Sequence, residues 1–162
     1  MADPRDNKSV QRVRAALTAA GSTAEIIALA DTARSAEDAA ASVGCDLGAI
    51  VKSLVFRVGE TPVMALVAGD RQCDLKALPA ALGLEGKARR ADADMVRAAT
   101  GFAIGGVAPV GHPAPIPIAV DASLGRFETI YAAAGHPYCV FGTTFDELVH
   151  LTDGRSSEAI AR

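Results

Sequence analysis

The stretch Ile50-Val51-Lys52-Ser53-Leu54-Val55-Phe56-Arg57-Val58-Gly59-Glu60-Thr61-Pro62-Val63-Met64-Ala65-Leu66-Val67 decides the fold of this chain. Residues 50–58 are rich in branched apolar side chains and predict a strand, and a second strand is predicted over residues 62–67. Gly59-Glu60 lies between them and is typical of a hairpin turn. Because both faces of the first strand are apolar, we expect it to be buried on both sides.

Lys52 is the charged residue at the centre of the first strand. Side chains alternate between the faces of a strand, so Lys52 shares its face with Leu54 and Phe56. An ammonium group among apolar side chains is costly unless it is paired or reaches a cavity. A pocket for an anionic ligand would meet that need. The alternative, judged on composition alone, is a lysine that snorkels to the surface from an edge strand.

A second candidate feature is the glycine-rich segment of residues 101–112. The paired glycines Gly105 and Gly106 let backbone N–H groups approach a ligand closely. Consecutive N–H groups in a tight turn form an anion-binding nest, which can hold a polarised carbonyl as an oxyanion hole does. The segment lacks the GK[ST] ending of a phosphate-binding P-loop. The alternative is an ordinary connector that is rich in turns.

The remaining pattern predicts short helices and strands in no regular βαβ alternation, which is typical of an α+β fold. We expect residues 1–8 to form a flexible tail and residues 9–162 to form a single domain. Helices are predicted to begin at Ser9, Ser35 and Thr144 and to cover residues 74–82 and 92–99, and further strands are predicted over residues 26–29, 116–120, 129–132 and 138–141.

Composition narrows the classes of function. Half of the 162 residues are apolar, so the chain can bury a core, and the formal net charge is −3. A protein that grips a long stretch of nucleic acid is usually basic, so we expect any RNA contact to be small and local. The cluster of residues 87–90, which contains one lysine and two arginines, is either a solvated face or a contact to an RNA backbone.

The cysteine count and the lack of long apolar runs bear on the compartment. Three cysteines at wide spacing argue against a disulfide framework, and the cytoplasm is the expected location. No apolar run approaches the roughly 20 residues that span a bilayer, so no membrane association is expected.

Metal and nucleophile motifs are weak in this sequence. His136 and Cys139 are spaced like some metal pairs, but no second pair follows at zinc-site spacing, so no metal or other cofactor is expected. The sequence contains no Gly-x-Ser-x-Gly elbow. His112, His136 and His150 could each act as an acid or a base.

Taken together, these features resemble the YbaK-type family of aminoacyl-tRNA deacylases, which includes the insertion domain of bacterial prolyl-tRNA synthetase and its free-standing relatives. The resemblance covers roughly residues 10–153, and its matching pieces follow the family's order. These pieces are the helix of residues 35–45, the lysine strand 50–54, Gly69-Asp70-Arg71, Asp74-Leu75-Lys76, the segment 100–112, Asp121, and Ala134-Gly135-His136-Pro137.

The resemblance implies a single α+β domain in which a curved, mixed and barrel-like β-sheet with short surrounding helices encloses a pocket. It implies that Lys52 binds the phosphate region of the terminal adenosine. The aminoacyl carbonyl would be polarised by the backbone amides of Gly105, Gly106, Val107 and Ala108. Further substrate-binding residues are expected at Ser53, Ile104, Pro109, Val110, Gly111, His112, Asp121, Ala133 and Gly135.

The implied function is trans-editing, the hydrolysis of the ester in mischarged aminoacyl-tRNA, with tRNA(Pro) carrying a small non-cognate amino acid as the expected substrate. Water or the substrate's own hydroxyl group would assist. The tRNA acceptor end is the expected partner, and prolyl-tRNA synthetase is a candidate one. Two alternatives are a non-catalytic module that binds tRNA ends or a synthetase, and an esterase for small acylated metabolites.

The sequence leaves the amino acid and the oligomeric state open. Some family members carry a hydroxyl residue where this chain has Ala133, and the Gly-Gly-Val-Ala-Pro loop also differs from the better-known versions. Alanine, 2-aminobutyrate, cysteine, serine and threonine all stay open as the amino acid that is removed.

Overall fold

Within the described residues, an eight-stranded mixed sheet curls into a half-barrel around the apolar core and carries five short helices. The structure is a computed structural model that describes residues 3–30 and 33–162. The helices are α1 (Lys8–Ala19), α2 (Ala36–Val43), α3 (Leu78–Ala81), α4 (Ala93–Thr100) and α5 (Phe145–Thr152). The strands are β1 (Ile26–Ala28), β2 (Ile50–Val58), β3 (Thr61–Ala68), β4 (Ala88–Arg90), β5 (Ile118–Asp121), β6 (Ile130–His136), β7 (Cys139–Thr143) and β8 (Arg155–Ser157).

The β2–β3 hairpin forms the centre of the sheet, whose strand order is β1-β7-β6-β2-β3-β5-β8. The two strands pair antiparallel from Val51 opposite Ala68 to Val58 opposite Thr61. Gly59 occupies the turn with φ +61°, a left-handed conformation that glycine adopts without strain. The predicted α+β class, the hairpin and the curved mixed sheet are therefore confirmed.

The other edge of β2 is interrupted. Strand β6 pairs with it in parallel only at Ile50 and Val51, and β4 pairs with it antiparallel only over residues 56–58. Residues 52–55 face no strand on that side in the described chain, so the sheet has a gap. The expectation that β2 is buried on both sides is wrong for residues 52–57, which are only half-buried. Residues 52–55 border the gap, and residues 56 and 57 pair with the short strand β4.

The core lies mainly on the concave side of the half-barrel. Alternate residues of β2 and β3, among them Val51 and Met64, pack there against α1, which buries Val10 and Val13 as its spacing predicts. The other face of the hairpin is covered by α3 and by the C-terminal residues around Ile160. A third, smaller cluster lies under α2.

Local signals placed most helix ends. Ser35 and Thr144 cap α2 and α5 by accepting a hydrogen bond from the backbone N–H three residues on, and Gly44 and Gly101 end α2 and α4 in the left-handed conformation. Helix α3 is shorter than its predicted range of residues 74–82, because Pro79 has no N–H to donate and belongs in a first turn.

Three other boundaries differ from the sequence predictions. Strand β5 begins at Ile118, two residues late, because Pro117 has no N–H for the ladder. Strands β4 and β8 were not predicted, since three-residue strands that carry arginine have no apolar alternation. At the N-terminus, residues 4–6 form a 3-10 turn and α1 begins at Lys8, while the first two residues of the predicted tail lie outside the described ones.

Within residues 3–30 and 33–162, no helix has both the length and the apolar character that a bilayer span needs.

Candidate active site

An open cavity of about 520 Å³ occupies the gap beside β2. Its lining includes the start of α2, Val96 of α4, and residues 104, 105 and 107 of the glycine segment. Because successive side chains of β2 face opposite ways, a cavity that passes through the sheet meets both sets. Ser53 and Val55 line it from the concave face, and Lys52 and Leu54 line it from the other.

Backbone groups of β2 also face this cavity. The carbonyl of Ile50 accepts from Gly69 in the turn after β3, so the even-numbered residues of β2 direct their N–H and C=O groups to β3. The odd-numbered residues direct theirs to the other edge. At Ser53 and Val55 that edge is the gap, so their backbone groups are available to a ligand.

Lys52 lines this cavity with an ammonium that is held by one hydrogen bond. Its ammonium donates a hydrogen bond to the carbonyl oxygen of Arg71, a neutral acceptor. The three ion pairs among the described residues all involve other cations, so no described carboxylate lies within 4.0 Å of the Lys52 ammonium. An ammonium has three donors, and two are left for a ligand.

The turn that presents the Arg71 carbonyl is held by the end of the chain. The N–H of Gln72 donates to the carbonyl of Arg162, and the N–H of Arg162 donates to that of Gln72, each at 2.9 Å. The N–H of Asp74 donates to the carbonyl of Ile160 at 2.6 Å. The acceptor that orients Lys52 is therefore part of a small antiparallel pair and does not lie in a free loop.

The glycine segment presents free amides beside the same cavity. Gly105 has φ +98°, and the N–H of Gly106 closes a turn by donating to the Ala103 carbonyl at 3.1 Å. The N–H groups of Val107 and Ala108 have no acceptor within the described residues, although both residues are buried. Buried N–H groups are rarely left unpaired, so these two are the donors that a ligand oxygen could use.

Gly106 packs closely against the end of β6. A side-chain carbon at Gly106 would lie 3.0 Å from the Cα atom of His136 and 3.0 Å from its backbone nitrogen. The absence of a side chain therefore lets the loop rest directly on the end of β6. Gly135 is a similar contact point, because a carbon there would lie 2.7 Å from the Ser9 carbonyl oxygen.

Helix α1 clamps the start of the glycine segment. The Arg12 guanidinium donates to the carbonyl of Gly101 at 2.6 Å, and its carbon lies 4.4 Å from the ring centroid of Phe102. A cation over an aromatic face adds electrostatic attraction to the hydrogen bond. Since Phe102 is buried, this clamp ties the loop to the core.

The end of the same segment turns away from the gap. Pro109, Val110, Gly111 and His112 line a second cavity of about 680 Å³, on the side of the C-terminal end of α5. His112 Nε2 lies 2.8 Å from the Ala108 carbonyl oxygen, which only accepts, so Nε2 carries the hydrogen. Burial lowers the pKa of His112, and the hydrogen bond to Ala108 partly opposes that shift.

The predicted site residues are therefore only partly together. Lys52, Ser53, Ile104, Gly105, Val107 and Ala133 line the cavity in the gap, whereas Gly106, Ala108 and Gly135 are not among its lining residues. Asp121 lies elsewhere: it is 2% exposed, and its carboxylate accepts from the N–H groups of Ala68 and Ser123 at 3.0 and 2.9 Å. Asp121 thus joins the end of β3 to the turn after β5.

Sequence reasoning missed part of the lining. Arg34, Tyr131, Pro137 and Val140 line the cavity, and so does Arg90, which the sequence placed only in a basic cluster. Tyr131 lies opposite Ile50 in the parallel pairing of β6 with β2. No signal in the sequence gives that register, so the tyrosine could not be assigned to the site.

Comparison with known proteins places this geometry in a family. The family model described as "Aminoacyl-tRNA editing domain" matches residues 30–151, most of the chain.

The chain belongs to the aminoacyl-tRNA editing domain family.

The resemblance to YbaK-type deacylases is thereby confirmed, and membership makes the chain a deacylase, a hydrolase that acts on aminoacyl-tRNA. The matched range contains the gap, Lys52 and the whole glycine segment.

Two curated relatives of similar length match this editing-domain protein. The "Putative Cys-tRNA(Pro)/Cys-tRNA(Cys) deacylase EbsC" of Enterococcus faecalis is 30% identical over 125 residues, 76% of either chain. The "Uncharacterized protein YwhH" of Bacillus subtilis is 33% identical over 128 residues, 78% of this chain and 80% of that one.

A solved structure has the same fold over almost the whole chain. It is described as "a putative trans-editing enzyme for prolyl tRNA synthetase" and matches with a TM-score of 0.88 at 38% identity. The match covers 94% of this chain and 96% of that one. The half-barrel with its interrupted sheet is therefore an editing-domain scaffold.

Proposed function

We propose that this deacylase performs trans-editing: it hydrolyses the ester of tRNA(Pro) that carries a small, wrong amino acid. One observation carries the proposal. The cavity in the sheet gap is lined both by Lys52, whose ammonium has no carboxylate partner among the described residues, and by Val107, whose backbone N–H has no acceptor among them. A phosphate at Lys52 and an ester carbonyl at Val107 and Ala108 would fit one aminoacylated nucleotide.

The amides would stabilise the transition state. As water attacks the ester carbon, its carbonyl oxygen gains negative charge, and the N–H groups of Val107 and Ala108 would donate to it. One such donor is typically worth about 3–4 kcal/mol. Lys52 would hold the phosphate so that the ester lies against the loop, which is catalysis by positioning.

The attacking group is proposed to be water, assisted by the neighbouring ribose hydroxyl or a hydroxyl of the substrate. The water oxygen bonds to the carbonyl carbon, the ribose oxygen leaves and takes up a proton, and the free amino acid is released. Cys139 also lines the cavity, but burial raises the pKa of its thiol to about 11. A thiol that stays protonated at neutral pH is a poor nucleophile, which favours water.

The proposed reaction depends on a cavity that selects amino acids by size. One missing methylene changes binding by only about 1–3 kcal/mol, so a synthetase pocket built for proline rejects smaller amino acids poorly. A second cavity that admits small amino acids and excludes proline would correct the error. Ala133, Ile104 and Val107 line the cavity and are proposed to set its size. Prolyl-tRNA synthetase is the proposed source of substrate, and the cytoplasm is the proposed compartment.

The test is a panel of tRNA(Pro) samples charged with alanine, 2-aminobutyrate, cysteine, serine, threonine and, as a control, proline. We expect rapid loss of the ester for at least one small amino acid and no loss for proline. A matching panel on a different tRNA tests the choice of tRNA. Equal rates for proline and the small amino acids would refute size selection, and survival of every ester in a stable complex would refute hydrolysis.

A further inference from the structure

The ribbon of β2 and β4 carries a basic strip, defined here as Arg57, Lys87, Arg89 and Arg90. In this ribbon Arg57 and Arg89 are direct cross-strand partners. Like charges directly opposite each other on a sheet repel and destabilise the pairing. A pair of this kind becomes favourable when an anion binds between the two guanidinium groups.

No described group within the protein supplies that anion. The ion pairs of residues 3–30 and 33–162 leave out the whole basic strip. Arg57 donates to the neutral carbonyl of Gly59 at 3.2 Å. The carboxylate of Asp92, which follows β4, accepts from Met95 N–H at 2.8 Å as the cap of α4.

The basic strip continues into the cavity. Arg90 follows Arg89, so its side chain leaves the opposite face of β4. There it lines the cavity in the gap, as Lys52 and Arg34 do. Strand β4 pairs with β2 alone among the described strands, so its outer edge is open and arginines on both faces can reach one strand that passes along it.

The chemistry of the basic strip favours successive phosphates. Guanidinium groups bind phosphate with two parallel hydrogen bonds, and two neighbouring arginines match a chain of phosphates better than they match one carboxylate. The whole chain has a formal net charge of −3, so this positive surface is local. It suits a short single strand and not a long duplex.

We propose that the basic strip binds the phosphates of the single-stranded 3′ end of tRNA, next to the terminal nucleotide in the cavity. This inference rests on the proposed function for the identity of the RNA. Arg57 and Arg89 hold a phosphate between them, and Arg90 guides the strand into the gap beside β2.

The experiment compares Arg57→Gln/Arg89→Gln with Lys8→Gln/Arg14→Gln, a control that removes two exposed charges from α1. Fluorescence anisotropy measures the Kd of an RNA hairpin that carries no amino acid and has a single-stranded four-nucleotide 3′ end. The measurement is repeated over a range of salt concentrations. A blunt hairpin of the same stem is the second RNA. Because nothing is hydrolysed, this measurement does not depend on deacylation.

We expect the Arg57/Arg89 variant to bind the tailed hairpin about tenfold more weakly. Its slope of log K against log salt should be shallower by about 0.7, the value for the loss of one neutralised phosphate of a single strand. The α1 control should bind the tailed hairpin as the wild type does. The Kd for the blunt hairpin should be the same in the wild type and in both variants. The melting temperature of the Arg57/Arg89 variant should be unchanged or higher, because a repulsion is removed.

Wild-type affinity and slope in the Arg57/Arg89 variant would overturn the proposal. So would an equal loss in the α1 control, or binding of an acidic peptide as tight as that of the tailed RNA. If the tailed RNA binds as expected but mischarged tRNA keeps its ester, the proposed function fails and the proposed contact between the basic strip and RNA stands. If esters are cleaved but the Arg57/Arg89 variant binds the tailed hairpin as the wild type does, only the proposed contact between the basic strip and RNA fails.

Discussion

Lys52 is a cation that the fold orients without neutralising it. Its partner is a backbone carbonyl, and the nearest strands contribute apolar side chains. A half-buried ammonium in such a setting gains more from a phosphate than a fully solvated one, because the surroundings screen the charge less. Arginine would not reproduce this contact, since lysine presents a compact point charge on a flexible stem.

We predict that Lys52→Ala lowers kcat/KM for deacylation by at least about tenfold, or roughly 1.4 kcal/mol, without unfolding the protein. The physical reason is the loss of the phosphate anchor and of the alignment that it imposes. Deacylation kinetics measure the effect, and thermal melting checks the fold. Wild-type kinetics in a folded variant would contradict the prediction.

His112 makes stability depend on pH. Burial lowers its pKa in the folded protein, so the unfolded chain binds a proton at a higher pH than the folded one. Stability is therefore fully present above the unfolded pKa of about 6.5 and is lost as pH falls from there towards the folded pKa.

We predict that the melting temperature falls between about pH 7.5 and 5.5, and that His112→Gln removes part of this fall. Glutamine keeps a donor that can reach the Ala108 carbonyl but does not titrate. Thermal melts of both proteins across that range measure the difference. Parallel curves for wild type and variant would assign the pH dependence to other groups.

At the scale of elements, the glycine segment is a loop held from outside. Arg12 of α1 holds its start, and the end of β6 supports its middle through the close contact at Gly106. His112 closes its end onto Ala108. A loop fixed at three points keeps the amides of Val107 and Ala108 in one orientation, which is the condition for a preorganised oxyanion site.

We predict that Gly106→Ala lowers kcat/KM by about tenfold, or roughly 1.4 kcal/mol, with a smaller effect on melting temperature. The added carbon would lie 3.0 Å from His136 backbone atoms, so the loop must shift away from β6. Gly125→Ala is the matched control, because a carbon there lies 3.7 Å from Phe145, an ordinary contact. Equal kcat/KM values in the two variants would contradict a role of the glycine segment in catalysis.

We predict that Arg12→Met lowers kcat by about threefold to tenfold and leaves KM for tRNA almost unchanged. Methionine can still pack on Phe102 but cannot donate to the Gly101 carbonyl, so the loop loses one anchor. Steady-state kinetics separate the two parameters, and Arg14→Met on the same helix is the control. A rise in KM with constant kcat would indicate that Arg12 binds the substrate.

On the scale of the whole molecule, the site lies in a gap of the sheet beside β2. Strands β6 and β4 both pair with the same edge of β2, but at residues 52–55 no described strand pairs with that edge. The sheet therefore brings its two faces together at one cavity, which Lys52, Arg90 and the loop residue Val107 all line. Half of the lining residues belong to strands, and the pairing of those strands fixes that part of the cavity.

We predict that Ala133→Leu makes the enzyme more selective for the smallest amino acid. A leucine side chain on β6 would fill part of the cavity, so kcat/KM for cysteine or threonine should fall about tenfold more than for alanine. Deacylation of a panel of charged tRNAs measures the ratio, and the affinity for uncharged tRNA should stay constant. An equal loss for every amino acid would mean that Ala133 does not set the size limit.

The amino-acid sequence alone determined the elements whose signals are local. The hairpin around Gly59, the caps at Ser35 and Thr144, and the apolar stripe of α1 each depend on residues a few positions apart, and each was predicted. Lys52 and the glycine segment were singled out for the same reason, since a charge in an apolar strand and paired glycines are visible without a partner.

Only the tertiary structure decided which of these residues share a cavity. The gap beside β2 exists because β6 and β4 stop short of each other, and that depends on pairing between strands far apart in the chain. The same pairing brought Tyr131 and Arg90 into the cavity and left Asp121 and His112 outside it. Long-range register is set by the packing of the whole core, and so no local pattern of residues encodes it.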